Sequence, residues 1–346
     1  MQHEITKEQR LLDEKGNIAE PGYAKSLLWK YDRDDVKARK TRLKEWDYYY
    51  ISNGRFGLCL TISDLGYVGG LSATVLSFEG NPWQITKTDV PLFPMGKTNM
   101  PATSVRGDVH AKHGEVDMTF LNDGKDRNLF GVYPKFGKNG EDLKFDINIT
   151  DVPEQSMVIA TPFDKNKYFY YNQKINCMTA WGTFSIGDQK FVFDKKDTLA
   201  TLDWGRGVWT YNNTWYWGSL QTKLPDGSKF GFNIGYGFGN TSAASENMLF
   251  YNGTSHKLED VDFGIPGDKD GKPEYMNQWH FTSSDGRLDM TFDPVIDRYE
   301  PFDVKLISMI PHQVFGKFNG TAVLDDGKVI EIKDALGFAE KVHNKW

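Results

Sequence analysis

From Trp46 onward, apolar and polar residues alternate in short runs, each closed by turn residues after roughly 8–15 positions. Asp47–Ile51 runs into Asn53-Gly54, Phe56–Ile62 into Asp64, and Lys190–Phe193 into Asp194. Asn-Gly, Asp-Gly and Gly-Asp pairs recur, and these suit tight hairpin loops that need positive φ. A period of two puts successive side chains on opposite faces of a sheet, so the pattern predicts antiparallel strands. Before Trp46 the pattern differs. Residues 1–43 are polar and charged and break at Pro21-Gly22, and Asp32–Leu43 is the one stretch that suits a helix. This segment is expected to pack outside the sheets.

The alternation repeats on a longer scale. Gly114-Glu115-Val116-Asp117-Met118-Thr119-Phe120 returns as Gly286-Arg287-Leu288-Asp289-Met290-Thr291-Phe292, a shift of 172. Asn53-Gly54-Arg55-Phe56-Gly57 against Asp226-Gly227-Ser228-Lys229-Phe230-Gly231, whose turn gains one residue, Trp46 against Trp217, and Gly80 against Gly253 fall at 171–174. Toward the ends of the halves, Trp181-Gly182-Thr183-Phe184 resembles Phe315-Gly316-Lys317-Phe318. Asp197-Thr198-Leu199 matches Asp334-Ala335-Leu336 at 137, with Asp203 six before Trp209 and Glu340 six before Trp346. The reading is an all-β chain of two tandem antiparallel barrels made by internal duplication. Its parts are an N-terminal extension (1–43), a first barrel (44–209) and a second barrel (210–346). Closure would remove exposed edges and could enclose a small ligand.

Composition narrows the function classes. Aromatic residues make up 14% of the 346, which favours pleated half-buried surfaces. A net charge of −6 argues against a nucleic-acid partner, and the basic run Lys37–Lys44, flanked by acids, reads as a solvated segment. Cys59 and Cys177 offer neither a disulfide framework nor metal-ligand spacing. The start of the chain has no basic segment followed by an apolar run, and no apolar window is long enough to span a membrane, so a cytoplasmic location is expected. Nothing matches a P-loop or nucleophile elbow, and Gly235-Tyr236-Gly237-Phe238-Gly239-Asn240 is a twisted or bulged strand rather than a dinucleotide loop. No cofactor is expected.

Several stretches carry a family resemblance. They are Lys44-Glu45-Trp46-Asp47-Tyr48-Tyr49, Asn172-Gln173-Lys174-Ile175, Leu202-Asp203-Trp204-Gly205-Arg206-Gly207-Val208-Trp209, Glu246-Asn247, and Gly337-Phe338-Ala339-Glu340 onward. Together they resemble the domain-of-unknown-function family numbered 2804 over most of the chain. More remotely, the tandem-barrel plan is similar to the lipocalin-like superfamily that holds carotenoid hydratases and tocopherol cyclases. That likeness implies lipocalin-like barrels and addition of water, cyclisation or isomerisation of an apolar small molecule without a redox cofactor.

Residues that break the internal symmetry are the freest to serve a site. Asp203 has Glu340 as counterpart, which favours a structural carboxylate closing each barrel, but Arg206 faces His343. Glu246-Asn247 stands where the first half has Ala73-Thr74, and His256 where it has Trp83. Asp203, Glu246 and His256 are therefore the candidate catalytic groups. Arg206, Trp204, Trp209, Tyr211, Trp215, Trp217 and Asn247 are the candidate substrate contacts. Strand alternation puts Asp203, Gly205, Gly207 and Trp209 on one face and Trp204, Arg206 and Val208 on the other. Asp203 and Arg206 would share a pocket only through a bulge, or would form an ion pair bracing the junction. His110 and His113 lack further donors for a metal, and His312 begins a strand that could face the second barrel. A carboxylic acid in an aromatic cavity suits proton delivery in hydration or cyclisation. The same residues fit a glycoside-active enzyme, and a lipophilic-ligand binding protein or a purely structural protein are the non-catalytic alternatives.

Overall fold

The computed structural model describes residues 2–304 and 307–345. Trp346, the sequence counterpart of Trp209, lies outside them. The chain folds into two large antiparallel sheets with almost no helix. The first sheet runs in the order Trp83–Asp89, Gly69–Ser77, Phe56–Asp64, Leu43–Ser52, Leu199–Val208, Phe169–Ile186, Leu143–Thr150, Arg127–Tyr133, Val116–Asn122, Val109–His113. Its two end strands share no ladder, but His113 Nδ1 lies 2.5 Å from Asp89 Oδ2 across the gap, so the barrel is nearly closed. The second sheet runs from Thr254–Lys257 through Met248–Tyr251, Lys229–Tyr236, Asn212–Lys223, Val329–Lys345, Ile307–Val323, Leu288–Tyr299 and Trp279–Ser283 to Val261–Asp262, a half-barrel.

Alternation sorts the side chains into three cores. Leu58, Leu60 and Ile62 point into the first barrel, and Phe230, Phe232 and Ile234 into the second. The outward faces of the central strands (Trp46, Tyr48, Tyr50 and Tyr170 from one sheet, Trp217, Phe315 and Phe338 from the other) pack into a third core between the sheets.

Duplication is visible in backbone detail. Gly182 (φ 147°) and Gly320 (φ 146°) hold the same conformation, each against an Asp carbonyl on the neighbouring strand, Asp146 and Asp289. Gly320, not Gly316, is thus the partner of Gly182. By sheet order Leu143–Thr150 stands where Leu288–Tyr299 stands, so the Gly-x-x-Asp-Met-Thr-Phe match joins strands two places apart. A turn followed by an alternating strand is a motif that any hairpin can satisfy.

Two expectations for the N-terminal segment change. Asp32–Leu43 forms only the 3-10 turns Arg33–Asp35 and Lys40–Arg42. Arg33 is held instead by Glu45 at 2.7 Å and by the Met100 carbonyl, contacts that a regular helix would not direct. The segment also packs into the first core rather than outside it: Ile5, Leu11, Trp29 and Tyr31 are buried there, and Gly22–Ala24 pairs with Met157–Pro162. Gln2 and His3 reach across to hydrogen-bond Leu258, Ser245 and Ala243 of the second sheet. Among the described residues no helix is long and apolar enough to cross a membrane.

Candidate active site between the two sheets

Leu199–Val208 pairs on both sides, its ladder unbroken from Leu202 to Val208, so no bulge separates Asp203 from Arg206. The alternation therefore holds, and the two side chains leave opposite faces of the sheet. Arg206 enters the first barrel, fully buried beside Trp204 at 4.2 Å. It donates to Asp47 Oδ1 (3.1 Å) and to the carbonyls of Trp46 (2.9 Å), Gly205 (2.8 Å) and Pro101 (2.8 Å), with Glu45 at 3.8 Å. The expected Asp203–Arg206 pair is not formed.

Asp203 faces the seam between the sheets. Its Oδ1 accepts from Asn172 Nδ2 (2.6 Å) and lies 2.8 Å from Lys174 Nζ. Asn172 and Lys174 sit on the adjacent strand Phe169–Ile186, two residues apart and so on the same face. The buried ammonium of Lys174 also lies 4.1 Å over the Trp217 ring, whose Nε1 donates to Asn233 Oδ1 (2.7 Å). Asn233 Nδ2 in turn donates to Glu246 Oε2 (3.1 Å). On the far side Glu340 accepts from Trp215 Nε1 (2.9 Å) and Gln313 Nε2 (3.0 Å). Gly205 admits the flat approach of Trp46, since a Cβ there would fall within the indole.

Electrostatics ties these groups together. Burial raises the Glu246 carboxyl, with Lys174 and Asn233 pulling it down and Asp203 pushing it up. Burial also pushes Glu340 up to about 7, against the donors Trp215 and Lys174 and with Asp203 adding to the rise. Tyr170 is held far above the ordinary phenol value, first by burial and then by the charges of Glu246, Asp203 and Glu340. Lys257 also acts on Glu246 and Arg298 on Glu340, so three carboxyls, three cations and one phenol are coupled in a seam walled by aromatic rings.

The seam is closely packed: Asp203 and Tyr170 keep 7% of their surface accessible and Glu340 and Trp209 8%. Phe238 packs 5.0 Å from both Tyr170 and Trp209 and 5.2 Å from Phe163. Phe163 lines a surface cleft of about 540 Å³ together with Lys165, Thr210, Asn213 and Gly237. Phe163, Phe238 and Trp215, whose Nε1 donates to Glu340, thus stand in series between that cleft and the carboxyl.

The structure gathers Asp203, Glu246, Trp209, Trp215 and Trp217 at the seam. It places Trp204 and Arg206 inside the first barrel, and Tyr211 at the surface, 43% exposed. Asn247 is buried but bonds the Gly235 amide and the Glu259 carbonyl, bracing its own loop. His256 lies on an edge hairpin, its Nδ1 3.1 Å from Asp325 Oδ2. His312 stacks between Tyr275 and Tyr299 and pairs with Asp297 (2.7 Å) rather than entering the second core. His110 and His113 pair with surface aspartates, and among the described residues no three His, Cys, Asp or Glu side chains come together as a metal would need. The Gly235–Asn240 run is not a continuous strand: it ends at Tyr236, and Gly237 and Gly239 turn at positive φ to aim Phe238 inward.

Sequence reasoning gave no role to Lys174, Tyr170, Asn233 or Phe238, and read Glu340 as structural. One signal was available: Asn172, Lys174 and Asn176 put three polar side chains at alternate positions of one strand.

Comparison with known proteins bears on the fold. A solved protein from Nitrosomonas europaea described as an AttH superposes with a TM-score of 0.50 at 13% identity, over 90% of this chain and 96% of that one. Kievitone hydratase from Nectria haematococca gives 0.49 at 11% identity, over 98% of both chains. No curated protein matches this sequence. The family model described as Domain of unknown function (DUF2804) matches residues 2–346, and the chain belongs to that family.

Proposed function

We propose that the protein is a cofactor-free enzyme of the hydratase type, a lyase, acting on a small, partly apolar substrate at the seam between the sheets. The observation that carries this reading is the pair of carboxyls, half-buried Glu246 and buried Glu340, both raised by desolvation and sharing Lys174 and Asp203 as charged neighbours. A carboxyl near 7 is populated in both forms at neutral pH, which suits proton transfer. In hydration, the Glu340 carboxylic acid gives its proton to one alkene carbon. Water adds through oxygen to the other carbon while Glu246 takes one of its protons, and exchange with solvent resets both carboxyls. Lys174, fixed by Asp203, which Asn172 holds in turn, faces charge that develops on a substrate oxygen, and Trp209 and Trp217 flank the apolar part. Isomerisation or cyclisation would use the same acid and base without water.

The test is turnover of a panel of alkenes and enones in isotopically labelled water, read by mass spectrometry. Glu340→Gln and Glu246→Gln should each lower the rate by about 10²–10⁴ while ligand binding and folding persist. A wild-type protein that binds panel members tightly yet labels none of them is a carrier, and the proposal then fails.

A further inference from the structure

The run Lys37–Lys44, a solvated segment by sequence, takes on a different meaning in the fold. Lys37, Arg39 and Arg42 line a recess of about 730 Å³ together with Lys165, Lys167 and Tyr168 from the loop beyond Met157–Pro162, and no carboxylate lines it. The Tyr168 hydroxyl, which burial alone would raise, is held below its ordinary value by Lys165 and Arg42. A chain of net charge −6 thus concentrates five cations around one recess.

Beside this recess stands an exposed apolar loop. Leu92 and Phe93 are 68% and 64% exposed, with Val90 also open to solvent. Large apolar side chains grouped at one loop tip mark contact with something apolar. The loop is held, not loose: the Phe93 amide donates to the Tyr67 carbonyl (2.8 Å) and the Met95 amide to the Gly66 carbonyl (3.0 Å). Gly66 in turn lies against the Lys40-Thr41 backbone, and the Tyr67 hydroxyl feels Arg42. Phe93 adopts φ 54°, a left-handed conformation that costs an aromatic residue energy, so the fold presents this ring outward at a cost. Apolar tip and basic recess are therefore neighbours, joined through Gly66 and Tyr67. Lys165 lines both the recess and the cleft over the seam.

We propose that this face docks on an anionic lipid bilayer. Leu92 and Phe93 enter the boundary between headgroups and acyl chains, while Lys37, Arg39, Lys165 and Lys167 face the lipid phosphates and carboxylates. Charge complementarity selects this occupant: a protein partner for Leu92 and Phe93 alone would not call for a rim of cations, and an anion in the recess alone would not call for the exposed tip. Docking in this pose sets the cleft beside a reservoir of apolar small molecules.

Co-sedimentation with vesicles tests the proposal without any turnover, so its outcome is independent of the hydratase reading. Wild-type protein should bind phosphatidylcholine vesicles that contain phosphatidylserine, bind pure phosphatidylcholine weakly, and release as salt rises. The double variant L92S/F93N should bind about tenfold or more weakly, since both apolar anchors are gone. Its thermal midpoint should be unchanged or higher, because Asn accepts the left-handed backbone that Phe93 occupies. K37E/K167E should also weaken binding, by about fivefold per lysine removed from an anionic surface. Three results would overturn the proposal. The first is wild-type protein that ignores anionic vesicles. The second is L92S/F93N binding them undiminished, which would leave the tip with no part in docking and assign the recess to anions alone. The third is a wild-type dimer, seen by light scattering, that L92S/F93N dissolves, which would assign the tip to a second copy of this chain.

Discussion

Two buried charged clusters lie back to back across one strand, and they are built on opposite plans. Inside the first barrel, Arg206 and Arg33 meet Glu45 and Asp47, and Arg206 spends its remaining donors on backbone carbonyls. Arg127 also acts on Asp47, and Arg206, Glu45 and Trp204 are almost wholly buried. On the other face, Asp203, Glu246 and Glu340 gather around Lys174, and the side chains keep accessible surface. In the first cluster burial raises one carboxyl, Asp47, against direct hydrogen bonding from Arg206. At the seam Lys257 acts on Glu246 and Arg298 on Glu340 beside Lys174, yet burial keeps both carboxyls raised, a cost to stability of the kind that proton-transferring sites use.

The largest test of this contrast is Arg206→Met. It leaves Glu45 and Asp47 buried beside a neutral side chain and should cost about 3–5 kcal/mol, measured by urea unfolding. A loss below about 1 kcal/mol would show that the inner cluster does not brace the barrel.

Glu340→Gln should act in the other direction, and its effect depends on pH. With a folded value of about 7 against an ordinary 4.5, the folded protein keeps a proton that the unfolded chain gives up in between. Wild-type stability therefore falls as pH rises through that window and is flat above it. The variant should match the wild type below the window and be more stable above it by up to about 3 kcal/mol, the energy of a shift of this size. Unchanged pH dependence of unfolding would mean that the seam is wetter, and its carboxyls more ordinary, than the contrast requires.

The smallest effect belongs to His256→Gln. Its partner Asp325 is 53% exposed, so the loss should stay below about 1 kcal/mol, with turnover unchanged. A large drop in turnover would move the candidate site away from the seam to the edge hairpin.

Much of the fold was legible because its signals are local. Hairpin turns such as Asn53-Gly54 and the alternation through Phe56–Asp64 report directly on strands. The helix expected at Asp32–Leu43 failed because Arg33 answers to Glu45 and Met100, distant in sequence. The site was half legible. Asp203, Trp209 and Trp217 stood out, but Lys174 and Tyr170 looked like ordinary strand residues. Phe238 looked like part of a strand until Gly237 and Gly239 were seen to turn it inward.

The sequence by itself determined which side chains share a face: the period of two separated Asp203 from Arg206, and the unbroken ladder kept them apart. It also determined that the chain is duplicated. Only the tertiary structure decided which face of each sheet became the seam, and hence that Glu246 and Glu340, 94 positions apart, feel the same lysine. The reason is physical: strand alternation is set by backbone geometry within a few residues, whereas desolvation depends on what the opposing sheet brings, and no local pattern encodes that.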